Sequence, residues 1–279
     1  MIYLYLAGLT ALLWSISGII IKGISSKFGN LLATALIGAG NVIVLAIVVL
    51  VLGNISVGTY AAGLSVAAGI ITGTGYILFY RSLQHQRASN TYSIIEIQVV
   101  ILFLYGALVL GETVSLLDMI GIAVIILGTI AVSIEKMKFN SGLLPAMGAQ
   151  VFWALGWILL VYPISVTKNF VLPNLISFSA TLAMVCVLLA LFGKRIKHKK
   201  KIESSNLAVG VSAGLASGSG NAVYTLLIYL KDLALSAPIA NSTPVIIAVI
   251  ARFVYKERLS AVQYLGIAAV VIGAAMLTI

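Results

Sequence analysis

Gly111-Glu112-Thr113-Val114-Ser115, with Gly121 and Gly128 following in an apolar run, closes the first half of the chain. Lys256-Glu257-Arg258-Leu259-Ser260, with Gly266 and Gly273 following in another, closes the second. Glu, Ser, Gly and Gly recur at one spacing, shifted by about half the chain length. Repetition at a long period marks a duplicated structural unit. In a chain this apolar, two such units point to a two-fold membrane bundle, and bundles of that plan commonly move solutes.

The composition sets the class. Of 279 residues, 61% are hydrophobic and 9% charged, and the mean hydropathy is +1.16. A soluble domain carries about 25% charged residues. The apolar residues come in blocks of about 20, enough to cross a hydrocarbon core of about 30 Å. The sequence predicts an all-α, multi-pass protein of the cell membrane. Ten helices are expected, over 3–22, 31–52, 61–83, 90–110, 117–134, 143–163, 171–193, 207–230, 236–254 and 260–279. Gly, Asn, Ser and charge clusters separate them, as at Gly53-Asn54 and from Lys194 to Ser205. Ten divides into two fives, and five is odd, so the second half enters from the opposite face. The expectation is two inverted five-helix repeats, 1–138 and 139–279, about an axis in the membrane plane.

The net charge of +10 does not imply nucleic acid. Basic residues in the loops of a membrane protein set its orientation. Fifteen of the 17 Lys and Arg fall in the connections after helices 1, 3, 5, 7 and 9; the other two are Lys168 and Lys231. The odd connections are therefore expected in the cytoplasm and both termini outside. The run Lys194 to Lys201 is expected to set topology and touch anionic lipid headgroups. Cys186, the one cysteine, lies in an apolar block and reads as an inert thiol. Met1 to Leu6 lacks the basic start of a signal peptide, and the first apolar block is too long for one.

The paired endings resemble the EamA repeat of the drug/metabolite transporter superfamily. That repeat runs Pro-Val, an apolar stretch, a Glu closing the fourth helix, then a fifth helix with spaced glycines. The second half carries Ser242-Thr243-Pro244-Val245, Glu257, Gly266 and Gly273; the first keeps Glu112, Gly121 and Gly128 but has Gln98-Val99 in place of the Pro. Ala11-Leu12-Leu13-Trp14-Ser15 and Val151-Phe152-Trp153-Ala154 are similar to the family's opening motif. The resemblance covers nearly the whole chain. It implies a central cavity lined by helices 1, 3, 4, 6, 8 and 9, and alternating-access transport of a small organic solute. The charge bias departs from many family members, which are described with cytoplasmic termini.

Several residues stand where an apolar core would not place them. Glu96 lies in Ile94-Ile95-Glu96-Ile97-Gln98, roughly 10 Å into the fourth helix at 1.5 Å per residue. An ionisable group at that depth rarely faces lipid. Desolvation favours its neutral form, so it is a candidate for proton coupling; the alternative is a structural hydrogen bond or a salt bridge, with Arg81, Arg87 or Lys22 near the same face. Its repeat counterpart is Asn241, just before Pro244, which lacks an N–H and frees a carbonyl one turn earlier. Gln98 joins these as a cavity candidate. Trp14 and Trp153 stand near the middles of helices 1 and 6, away from an interfacial belt. Either they line a cavity or they fill the core, and Trp157 shares the face of Trp153. Tyr76, Tyr80, Asn221 and Tyr224 offer polar tips on helices 3 and 8. The spacings Gly69/Gly73, Gly210/Gly214 and Gly214/Gly218 on those helices permit close helix contact. Glu112 and Glu257 sit at connections, where a carboxylate caps the next helix.

The expected function is secondary transport of a small metabolite, an amino acid or a related solute, by export or exchange. A carrier of sugars or other neutral solutes is the alternative, since aromatic platforms suit sugar faces. A lipid-handling or structural membrane protein is the third. No Walker motif, Cys/His cluster or nucleophile elbow occurs, so neither catalysis nor a metal nor a cofactor is expected. The expected partners are a small-molecule substrate and membrane lipids. The oligomeric state, monomer or homodimer, is left open.

Overall fold

The uncharged break between the second and third apolar blocks is made by two left-handed residues, Gly53 (φ 66°) and Asn54 (φ 54°). Glycine bears a positive φ without a Cβ clash, and Asn tolerates it better than most. The computed structural model describes residues 2–22, 29–85, 96–134, 142–192, 204–230, 233–254 and 259–277, with residues 22, 83–85, 96, 133, 134, 251 and 254 by backbone alone. The described elements are all helices: α1 (Ile2–Lys22), α2 (Asn30–Leu52), α3 (Thr59–His85), α4 (Glu96–Leu108), α5 (Leu116–Ile134), α6 (Leu143–Val166), α7 (Leu172–Phe192), α8 (Ser204–Tyr229), α9 (Leu233–Ala240), α10 (Thr243–Val254) and α11 (Ala261–Met276). Six stretches are long and apolar enough to cross a membrane, and α4, α5 and α11 are shorter apolar helices.

The single helix expected over 236–254 is two helices, α9 and α10, broken at Asn241-Ser242. Pro244 has no N–H to give the Ala240 carbonyl. Side chains then compete for the backbone. Asn241 Nδ2 donates to the Ala237 carbonyl at 2.8 Å, and the Ser242 hydroxyl to the Ile239 carbonyl at 2.7 Å. This broken span is the most enclosed of the six, with 67% of its residues buried against 22–39% elsewhere.

Helix packing is mostly between halves, and the contacts of α3 with the second half mirror those of α8 with the first. α1 lies along α8 as α6 lies along α3; α2 lies along α8 as α7 lies along α3. Glycines set these distances. A β-carbon at Gly214 would meet the Ile37 carbonyl at 2.6 Å, and one at Gly69 would run into the Ser177 carbonyl. Small residues allow this approach where lipid offers no hydrophobic drive. The repeat glycines meet one another. A β-carbon at Gly121 would stand 3.0 Å from the Gly273 carbonyl, and one at Gly128 2.7 Å from the Gly266 carbonyl. Position numbers rise along α5 as they fall along α11, so these equivalent helices run antiparallel.

Polarity is reversed relative to a soluble fold. Leu50, Val51 and Leu265 are 75%, 80% and 70% exposed, while Asn41, Gln150, Asn174 and Thr181 are wholly buried. So large an apolar surface belongs in lipid. Inside, polar groups tie helices together. Thr181 Oγ1 donates to the Gly69 carbonyl at 2.6 Å, and Asn169 Nδ2 donates to the Val49 and Gly53 carbonyls at the end of α2 at 3.1 and 2.6 Å.

Candidate functional site

Two indoles face the middle of the bundle from equivalent places. Trp14 of α1 lies on Gly220 of α8, where a β-carbon would stand 2.6 Å from its Cδ1. Trp153 of α6 lies on Gly75 of α3, where the same distance would be 2.7 Å. Each glycine lets the Cδ1–Nε1 edge of an indole approach a helix backbone. The two indoles differ in their polar partners. Trp14 Nε1 donates to Asn221 Oδ1 at 3.0 Å, Asn221 Nδ2 donates to Asn41 Oδ1 at 2.6 Å, and Asn41 Nδ2 donates to the Ile37 carbonyl at 2.9 Å. At Trp153 the neighbours are Tyr76 and Phe79, each with its ring centroid 5.1 Å away. The Trp153 N–H is buried without a partner among the described residues.

Between these indoles lies a cavity of about 110 Å³. Since roughly 10–15 Å³ holds one water on this scale, it has room for several waters or a small solute. Of the residues expected at a site, Trp14, Trp153 and Trp157 line it from α1 and α6. Tyr76 and Tyr80 line it from α3, Gln98 from α4, Asn221 from α8 and Asn241 from the α9–α10 break. Tyr224 stands behind this wall rather than in it. It is wholly buried, its ring 5.3 Å from that of Trp14 and 4.7 Å from that of Trp157, so it backs the two indoles. Glu96 heads α4, and its side chain lies outside the described residues, as do residues 90–95.

The second and seventh spans also reach the cavity, beyond the six helices the resemblance implied. Ile37 comes from α2, and Asn174, Ser177 and Phe178 from α7. Gln150, one turn before Trp153, lines it too. The sequence held a signal for Gln150, an amide on the Trp153 face of an apolar helix. Asn174 follows Pro173 at the head of α7 and reads there as a cap. Ser177 has no local signal at all.

Glu112 serves a helix other than the expected one. Its Oε1 and Oε2 accept from the Leu233 and Ala234 N–H groups, at 3.1 and 2.5 Å, and so hold the start of α9 in the other half. A β-carbon at Gly106 would stand 2.9 Å from Ala234 N, so only glycine leaves room for this approach. The next helix in sequence, α5, is held by Ser115 and Asp118 instead, through bonds of 2.8 and 3.1 Å. Ser260 and Gln263 make the equivalent capping box on α11. Glu257 lies outside the described residues.

An apolar exterior, polar groups turned inward on a central cavity, and halves that exchange equivalent contacts define a multi-pass membrane protein built by internal duplication. The sequence profile of the EamA-like transporter family matches residues 1–134 and again residues 140–279. The chain belongs to the EamA-like transporter family, within the drug/metabolite transporter superfamily. A solved crystal structure of a protein with 17% sequence identity has the same fold, with a TM-score of 0.81 over 99% of this chain and 98% of its own. No curated protein matches the sequence.

Proposed function

We propose that the protein is a secondary carrier that moves a small organic solute across the cell membrane by alternating access. The observation that carries this reading is the central cavity, walled by equivalent helices of both halves. The antiparallel α5–α11 pair supports ten spans in two inverted repeats, 1–138 and 139–279, because equivalent helices oppose one another when the halves are inverted. Rocking one half against the other then opens the cavity to either side in turn. Trp14 and Trp153 close over the solute. Tyr76, Tyr80, Gln98, Trp157, Asn221 and Asn241 contact it or shape its space. In the leading reading the solute is an amino acid or a relative, exported or exchanged, with Glu96 as the proton-coupling group, since an ionisable residue within a span is costly to keep. A neutral solute is the second reading, and one observation favours it: no described residue lining the cavity is ionised at neutral pH.

Counterflow in proteoliposomes tests the carrier reading. Preloaded unlabelled solute should drive uptake of its labelled form, and Trp14→Ala or Trp153→Ala should slow that exchange at least tenfold. Absence of exchange for amino acids, sugars, nucleosides and cationic drugs alike would overturn it. Glu96→Gln should abolish uptake driven by a pH gradient; undiminished pH-driven uptake in that variant removes the coupling role.

A further inference from the structure

The walls of the cavity differ in what they leave unpaired. On the α1–α8 side, Trp14, Asn221 and Asn41 satisfy one another in a chain that ends on a backbone carbonyl. On the α6–α7 side the polar atoms stand open among the described residues. Gln150 is wholly buried, and neither its Nε2 nor its Oε1 has a partner. Trp153 Nε1 is a buried donor without an acceptor. Asn174 donates to Thr225 Oγ1 at 2.8 Å, which leaves its Oδ1 an acceptor without a donor. The Ser177 hydroxyl, 1% exposed, is also unpaired. All four residues line the same cavity.

Buried polar groups are nearly always hydrogen-bonded, and an unmet cluster calls for an explanation. Four such residues on one wall of a cavity are explained together by an occupant that completes them. Its chemistry follows from theirs. Gln150 offers a donor and an acceptor, Trp153 a donor, Asn174 an acceptor, and Ser177 either. The occupant must therefore both donate and accept. No described lining residue carries a charge to balance a carboxylate or an ammonium, and burying an unbalanced ion costs far more than burying a dipole. The indoles of Trp153 and Trp157 offer flat apolar faces beside these groups.

We infer that the solute is uncharged and bears both hydrogen-bond donors and acceptors, as amides and polyols do, and that Gln150, Trp153, Asn174 and Ser177 on the second half's wall recognise it. This assignment rests on the carrier reading, takes its neutral-solute form over the amino-acid one, and narrows the substrate. Gln150 is the centre of the set, because both ends of its amide await partners.

The test uses the full-length protein in detergent. Thermal unfolding is followed with nicotinamide, uracil and glucose as uncharged probes, and with alanine, acetate and methylammonium as charged ones. A ligand that binds only the folded state raises the unfolding midpoint. At least one uncharged probe is expected to do so, and the charged ones are not. Gln150→Leu should weaken that binding about five- to tenfold, and Ser177→Ala several-fold. Gln150→Leu should also leave the ligand-free midpoint unchanged or raise it, because it removes an unpaired amide. A fall in that midpoint would mean that Gln150 has a structural partner, and would overturn the inference. So would binding that Gln150→Leu leaves intact, or no stabilisation by any uncharged probe. Counterflow separates this from the parent reading. Exchange of charged probes alone keeps the carrier and discards the uncharged solute. Gln150-dependent binding without exchange keeps the recognition site and discards the carrier.

Discussion

Trp14 and Trp153 occupy matching positions, yet their N–H groups meet different fates. The one residue that separates them is the counterpart of Asn221, which is Tyr76. Trp14→Phe should therefore leave the Asn221 carbonyl oxygen without its donor and cost about 1–3 kcal/mol from that loss. Trp153→Phe deletes a donor that was never paired, and should cost less by about that amount. Both variants lose similar apolar area, so the difference between their unfolding midpoints isolates the hydrogen bond. Equal midpoints would refute the asymmetry. The supporting glycines make a second pair. Gly220→Ala and Gly75→Ala each push a β-carbon into an indole, and each should destabilise by about 1–3 kcal/mol through overpacking.

At the scale of the element, the first copy of the repeated Glu-x-x-Ser stretch separates into two jobs. Ser115 caps the helix that follows it, while Glu112 caps a helix of the other half. Glu112→Ala should cost up to about 2 kcal/mol, the range for loss of a cap, and should do so without altering helix content by circular dichroism. A variant as stable as the parent would show that water replaces the carboxylate. The two jobs differ in how far they could be read. Ser115 and Asp118 are three residues apart, a distance at which helix geometry fixes the partner. Glu112 and Leu233 are 121 residues apart, and only the packing of α4 against α9 joins them. The same division runs through the cavity. The indoles, Asn221 and Asn241 stood out because local pattern marks them. Gln150 and Ser177 matter because of what tertiary packing leaves unpaired around them, and no local pattern reports that. The break in the ninth span was half legible. Pro244 announces it, but the side chains of Asn241 and Ser242 fix its place.

Across the whole molecule, the duplicated chain makes its reciprocal contacts testable. In a Cys186→Ser background, Gly121→Cys with Gly273→Cys should cross-link, and so should Gly128→Cys with Gly266→Cys. Gly121→Cys with Gly266→Cys should not, because antiparallel packing sets those sites about two helical turns apart, roughly 10 Å. Cross-linking in the mismatched pair and not in the matched ones would overturn the register. Orientation is a separate question, read from charge. The positive-inside rule puts the even connections outside, so Asn54→Cys and Lys168→Cys in the same background should react with an impermeant maleimide on intact cells. Reaction only after lysis would invert the topology. The apolar helices were legible because hydropathy is a local sum. Which helix lies on which was not, because glycine spacing marks a contact face without naming its partner.

The Glu112 contact also has a bearing on synthesis. Its carboxylate leaves the ribosome 121 residues before the Leu233 amide that it holds. At about 5–20 residues per second, that is a wait of roughly 6–24 s. Throughout that interval the first half carries an anion whose destination does not yet exist. The nascent half must keep that end of α4 wet until α9 arrives, and a ribosome that stalls between the two leaves behind a membrane segment with an unmet charge, a ready mark for quality control.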